Sequence, residues 1–177
     1  SGNAEKWRIV QKVGFEKDVE ESIIDAFKKQ ELGMLPRGGI ACLLEKNHLR
    51  YSSPRQKKAY CFLPLPLETN LPVHVNGHFA LDHESRRSLW RDDENCGGYR
   101  SDWNNLLLQD VVASCYITML VEVRDFLKLS TTRDTKHETE TEILSKINVY
   151  ESFFPCQIPV DKYWKTQIGR ASCRERV

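Results

Sequence analysis

The spacing of apolar residues predicts three strands in the first part of the chain. Trp7, Ile9 and Val13 recur along a stretch that also carries charged residues, which is typical of a strand. Two denser apolar runs, 38–45 and 60–63, have the composition of buried strands. We therefore expect a sheet to form early in the chain.

A fourth strand is predicted by alternation after residue 72. Pro64 and Pro66 are expected to end the third strand, because proline has no N–H to donate to a neighbouring strand. Two strands separated by a short loop are expected to be neighbours in the sheet. The fourth strand is predicted to have one apolar face and one polar face. Its apolar positions, Val73, Val75, Gly77 and Phe79, alternate with His74, Asn76, His78 and Ala80.

Two helices are predicted ahead of the longest one in the chain. Apolar residues at helical spacing predict the first over 18–32, with Asp18 as its N-cap and Gly33 as its C-cap. The second is predicted over 85–90, with Asp82 as its cap. The apolar stripe of the first helix consists of Val19, Ile23, Ile24 and Phe27.

The longest helix is predicted over 102–127, with Asp102 as its N-cap. Polar residues within its most apolar part, Gln109, Asp110 and Glu122, indicate a buried helix rather than a membrane span. Its stripe consists of Leu108, Val112, Cys115, Tyr116, Met119, Leu120, Val123, Phe126 and Leu127, widened by Leu106, Leu107 and Val111.

These elements predict an α+β fold, in which a mixed or antiparallel sheet packs against helices and one long helix is buried. A further helix is predicted over 140–150. The polar stretches 46–58 and 91–101 are predicted to be exposed loops, and the second lacks the ligand spacing of a calcium loop. Gly38 and Gly39 belong to no phosphate-binding motif, so we expect them to form a turn or allow close backbone approach.

Composition and charge exclude few function classes but set some expectations. The 177 residues carry a formal net charge of +1, which favours neither a nucleic-acid partner nor an acidic ligand. Six cysteines without a CxxC motif are typical of reduced thiols rather than a metal or disulfide framework. The last ten residues, 168–177, resemble a translated sequencing adaptor and are left out of the fold predictions.

Metal and thiol chemistry have only weak signals. His74 and His78 stand four residues apart, about 13 Å along a straight strand, and His83 approaches them only after a turn. Cys61 is able to pair with either strand histidine, but its apolar surroundings are expected to bury it and raise its pKa. Surface or hydrogen-bonded histidines are favoured, and an independent thiol or metal enzyme is the less favoured alternative.

One long stretch resembles a known family. The segments LPRGGIACLLE, AYCFLPLP, LPVHVNGHFALDHESRRSLWRD and SDWNNLLLQDVVASCYITMLVEV follow one another in the order found in repeats of the sacsin family of large co-chaperones. The resemblance covers 6–126. In that family, each repeat begins with an ATPase module like that of the Hsp-ninety chaperones and continues into a region comparable to their middle segment.

The resemblance implies a domain organisation and a function. Residues 1–50 would be the end of a truncated ATPase-like module, 51–130 a middle-segment-like α+β region, and 131–167 a helical continuation. The fragment would couple an upstream ATP-binding module to protein quality control, without being an enzyme or holding a cofactor itself; ATP would belong to the parent protein. Cytoplasmic localisation is implied, with chaperones, client proteins and intermediate filaments as partners, and we expect no nucleic acid or membrane insertion.

The resemblance also identifies Arg86 as a candidate phosphate-sensing residue. In the Hsp-ninety chaperones, an arginine that follows a strand and a loop reaches the γ-phosphate of ATP, and FALDHESRRSLW has a similar order. The planar guanidinium suits phosphate oxygens. Alternatively, Arg86 and Arg87 form surface ion pairs with Glu84, Asp92 or Asp93, and the segment is a passive structural or protein-interaction repeat.

Overall fold

The computed structural model describes residues 4–46, 49–50, 57–69, 71–84, 86–90, 98–129 and 139–154. The strands are β1 Glu5–Val13, β2 Arg37–Lys46, β3 Leu49–Arg50, β4 Lys58–Cys61, β5 Leu63–Glu68 and β6 His74–Gly77. The helices are α1 Glu21–Lys28, α2 Tyr99–Leu106, a π-helical stretch Leu107–Val112, α3 Ala113–Phe126 and α4 Glu140–Glu151. This is the predicted α+β fold.

The strands form one mixed sheet in the order β1-β2-β6-β4-β5, with β3 paired to β2. The β4–β6 pair is parallel, whereas the other pairs of described strands are antiparallel. In the middle of the sheet, Ile40 lies opposite Val10 on one side and Val75 on the other. The predicted strands 7–13 and 38–45 are confirmed, and β4 and β6 are neighbours as expected.

The third predicted strand does not end at its prolines. Pro64 and Pro66 lie within β5, which turns back along β4 so that Tyr60 faces Pro64. Strand β5 is at the edge of the sheet, where a proline without an N–H interrupts no ladder on its outer side. The prediction was wrong because a missing N–H ends a strand only where a neighbouring strand needs that donor.

Two other loop and helix predictions also needed correction. The predicted loop 46–58 contains β3, which pairs with the end of β2. Helix α1 begins after Glu20 and is followed by Lys29, so neither Asp18 nor Gly33 caps it. It buries Ile23 and Ala26, whereas Ile24 and Phe27 of the predicted stripe are exposed.

Helices α2 and α3, with the π-helical stretch between them, form one continuous helix, Tyr99–Phe126, which we call the long helix. Gly98, rather than Asp102, is its N-cap, and Asp102 accepts a hydrogen bond of 2.8 Å from the Ser22 hydroxyl. The predicted apolar stripe is confirmed, because all of its members except the partly buried Phe126 are buried.

The long helix packs on the sheet face that carries Ile40, Cys42 and Val75. A Cβ atom on Gly38 would lie 3.1 Å from Val111 Cγ1, so this glycine allows the helix to approach β2 closely, as expected. By length and composition alone the long helix is able to cross a membrane, but 67% of its most apolar window is buried inside the fold.

Helix α4 confirms the prediction of a helix over 140–150. Thr139 caps it, because the Thr139 hydroxyl accepts the Glu142 N–H while the Glu142 carboxylate accepts the Thr139 N–H. Residues 130–138 and 155–177 lie outside the described residues; they include parts of the predicted helical continuation 131–167 and the whole adaptor-like segment 168–177.

Candidate functional site

Residues 81–89 form a loop whose two ends are held together. Leu81 and Leu89 form an isolated antiparallel bridge. Just outside them, the Trp90 N–H donates to the Ala80 carbonyl at 2.8 Å. The chain therefore leaves the core and returns to it at neighbouring points, and we call this segment the 81–89 loop.

Asp82 organises the interior of the 81–89 loop, but it does not cap a helix. Its backbone N–H donates to the Ser88 carbonyl at 3.0 Å. Its carboxylate accepts hydrogen bonds from the Glu84 N–H at 2.9 Å and from the Ser88 hydroxyl at 3.0 Å. The helix predicted over 85–90 is wrong, since these local bonds and the Leu81–Leu89 bridge satisfy the backbone in a turn instead.

Asn104 fastens the loop to the long helix. Asn104 Oδ1 accepts the Ala80 N–H at 2.8 Å, and Nδ2 donates to the carbonyls of Ala80 at 2.9 Å and Trp90 at 3.4 Å. The neighbouring Trp103 Nε1 donates to the His78 carbonyl at 2.8 Å. Both ends of the loop are thus fixed by buried groups, while its tip faces solvent.

Arg86 lies at this exposed tip, with its backbone at φ 52°. This left-handed region is unfavourable for residues other than glycine and often marks a functional segment. Arg86 makes no hydrogen bond or ion pair with any residue the structure describes, so the alternative pairing with Glu84 is not formed. Arg87 is exposed and has an interaction partner. Asp92 and Asp93, the other predicted ion-pair partners, lie outside the described residues.

Arg86 borders two hollows of different charge. The smaller, about 330 Å³, is also lined by Arg100 and by the acidic residues Glu31 and Asp82. The Arg100 guanidinium lies 4.8 Å from the centroid of the Trp90 ring. The larger, about 670 Å³, has Arg86 with two more cations and no carboxylate among its described lining residues. An anion is therefore better accommodated in the larger hollow.

The predicted histidine candidates are each placed against an aromatic ring. His74 lies between Trp7 and Tyr60, with ring centroids 5.8 Å and 5.5 Å away. Its Nδ1 accepts the Lys58 N–H at 3.2 Å, which occupies one of the two possible metal-binding nitrogens. Burial, followed by the nearby charge of Lys57, lowers the pKa of His74. His74 is thus a hydrogen-bonded histidine of the sheet.

The other two histidines contact different aromatic side chains. His78 packs on Phe62 at 4.7 Å and His83 packs on Trp90 at 5.0 Å. Burial, with Arg37 nearby, lowers the pKa of His78. Within the described parts of the chain, no three His, Cys, Asp or Glu side chains come together as a metal site.

The thiol of Cys61 does not have the surroundings of a nucleophile. Its Sγ donates to the Phe79 carbonyl at 3.6 Å, and burial raises the pKa of Cys61, as predicted. Burial also raises the pKa of Cys42 to about 12 and that of Cys115 to about 11. These thiols are protonated near neutral pH and suited to packing.

The sequence reasoning missed Asn104, Lys58 and Phe62 as parts of this region. A signal existed for Asn104, because it lies one helical turn before Leu107 and Leu108 of the predicted apolar stripe, where a polar side chain needs specific partners. No sequence signal marks Phe62, whose backbone also has a positive φ, 60°, in the turn between β4 and β5.

Together these features define an α+β segment in which a mixed sheet carries a long buried helix and an arginine-bearing loop. No family model matches the chain, and no solved structure matches it. The chain is 42% identical to sacsin of Homo sapiens over 162 residues. That match includes 87% of this chain but only 3% of the relative's length. The chain is therefore a sacsin-like segment, as the resemblance indicated.

Proposed function

We propose that this sacsin-like segment couples an upstream ATP-binding module to protein quality control, with Arg86 as the phosphate-sensing residue. The observation that carries the proposal is the state of Arg86, an exposed guanidinium without an ion pair to any described residue, on a loop fixed at both ends. A guanidinium in this state is available to a negatively charged group.

The physical basis is preorganisation. An arginine that already forms an ion pair must break it before it meets phosphate, whereas Arg86 has no such pair to break among the described residues. Its planar fork is able to form two parallel hydrogen bonds to phosphate oxygens. Asn104 holds the ends of the loop, which reduces the ordering needed when the arginine engages.

The proposal extends to the whole protein of which this chain is a segment. The upstream module would bind and hydrolyse ATP, and the segment would contribute Arg86 without a nucleotide site of its own. The protein would act in the cytoplasm with chaperones and client proteins, intermediate filaments among them. The division of the chain at residues 50 and 130 remains a prediction.

The test requires a longer chain that contains the upstream module together with this segment and hydrolyses ATP. Arg86→Ala should lower turnover at least about tenfold, a modest value beside the 10³–10⁵ known for arginines that complete nucleotide sites. Nucleotide affinity and melting temperature should change little. Arg86→Lys keeps the charge but loses the fork, so its turnover should be intermediate.

Equal turnover of the wild type and Arg86→Ala would reject the coupling role. A longer chain with intact nucleotide-binding motifs that binds ATP without hydrolysing it would favour the passive structural or interaction repeat.

A further inference from the structure

We propose that the larger hollow beside Arg86 binds an acidic, apolar peptide segment of a partner protein. The hollow lies between the turn that joins β4 to β5 and the 81–89 loop, and we call it the Phe62 cleft. This inference goes beyond the ATP-coupling role, since it concerns a protein ligand and depends on Lys58 and Phe62 as well as on Arg86.

The charge of the Phe62 cleft is one-sided. Its cations are Lys58, Arg86 and Arg87, and no Asp or Glu is among the described residues that line it. Lys58 and Arg86 form no ion pair with any described residue. Carboxylates of a bound segment would supply the missing opposite charge.

The remaining wall of the cleft is apolar and exposed to water. Phe62 is 77% exposed and Leu63 is 74% exposed, while Leu81 contributes apolar surface from the loop. Large side chains left in water at the rim of a concave surface are typical of binding sites. The surface therefore favours a segment that has an aliphatic or aromatic side chain beside its carboxylates.

The backbone gives independent support. The described non-glycine residues with positive φ are Gln30, Phe62, Arg86 and Lys128. Gln30 and Lys128 follow the ends of helices, where this conformation is common. Phe62 and Arg86 follow no helix, and both border the same cleft. Glycine would be the less strained residue at both positions, so two strained side chains lie at the border of this one cleft.

The prolines of the edge strand β5 restrict how a peptide is bound in the cleft. Pro64 and Pro66 of β5 line the cleft and have no N–H to donate. A partner cannot extend the sheet here with a regular ladder. We therefore expect recognition through side chains, with carboxylates meeting Lys58 and Arg86 and an apolar side chain packing on Phe62.

The experiment uses variants in which glycine replaces a residue with a strained backbone, so that loss of binding is separated from loss of folding. A random peptide library displayed on phage is selected against the chain, and the affinity of enriched peptides is measured by fluorescence anisotropy. The enriched peptides should contain Asp or Glu close to an aliphatic or aromatic residue. Phe62→Gly and Arg86→Gly should each weaken binding at least about tenfold. Both variants should remain folded with little change in melting temperature, because glycine relieves the positive φ, which for Phe62→Gly offsets the lost ring contact with His78.

Lys128→Gly is the matched control, since it relieves the same backbone conformation away from the cleft and should leave affinity unchanged. Lack of enrichment, enrichment of peptides without acidic residues, or unchanged affinity of Phe62→Gly and Arg86→Gly would each overturn the proposal. Phe62→Gly should not alter the ATP turnover of the longer chain, so the two proposals fail separately.

Discussion

Asn104 holds the backbone of Ala80 with both ends of its side-chain amide. Oδ1 accepts the Ala80 N–H at 2.8 Å, and Nδ2 donates to the Ala80 carbonyl at 2.9 Å. The amide is 0% exposed, so these bonds replace all contact with water. Because Nδ2 also reaches the Trp90 carbonyl, one side chain of the long helix determines where the 81–89 loop begins and ends.

Asn104→Ala should destabilise the fold by about 1–3 kcal/mol, because the buried N–H of Ala80 loses its partner. Denaturant unfolding followed by circular dichroism measures the change. Gln109→Ala, at an exposed position of the same helix, should stay within about 0.5 kcal/mol. Equal stabilities of the two variants would show that Asn104 does not hold the loop.

Leu120 tests the packing of the long helix on the sheet. It is fully buried, and Leu120→Ala should cost about 2–5 kcal/mol through lost burial and a cavity. Leu144 provides the matched control, because it is a leucine on α4 that is 52% exposed. Leu144→Ala should change the free energy of unfolding by less than about 0.5 kcal/mol. A cost below that value for Leu120→Ala would contradict the packing.

His74 should make stability depend on pH. Its pKa in the folded state lies below the unfolded value of 6.5, so between these two values the unfolded chain binds more protons. The contribution of His74 is therefore complete above 6.5 and is lost as the pH falls through the folded pKa. His74→Gln keeps an acceptor for the Lys58 N–H but does not titrate.

The measurement compares the free energy of unfolding at about pH 7.5 and about pH 5.5, on either side of the histidine range. His74→Gln should lose less stability on acidification than the wild type. The residual pH dependence should decrease further in a double variant with His78→Gln, because burial lowers the pKa of His78 too. Identical losses in all three proteins would refute the assignment.

The buried thiols should resist alkylation in the folded chain. With pKa values of about 12 and about 11, Cys42 and Cys115 are almost entirely protonated at neutral pH and are also shielded from solvent. Iodoacetamide followed by peptide mass spectrometry should label them only after unfolding by denaturant. Labelling of Cys42 at the same rate in the folded and unfolded chain would contradict this burial.

The spacing of apolar residues predicted best those elements that bury one continuous face against a single neighbour. The long helix was predictable because its apolar stripe repeats over many turns, all facing the same sheet. The buried side of α1 was predicted only in part. This short helix buries Ile23 and Ala26, whereas Ile24 and Phe27 of the predicted stripe are exposed. A short helix offers too few turns for periodicity to identify its buried side.

The sequence by itself determined the α+β class, the two faces of the fourth strand, the buried long helix and the resemblance to sacsin. Only the tertiary structure decided that β4 and β6 pair in parallel and that β5 keeps its prolines at the sheet edge. It also decided that 86–90 is not helical and that Arg86 adopts a positive φ. The physical reason is that hydrophobic periodicity is a local property, whereas the partner of a polar group, such as Asn104 for Ala80, lies far along the chain.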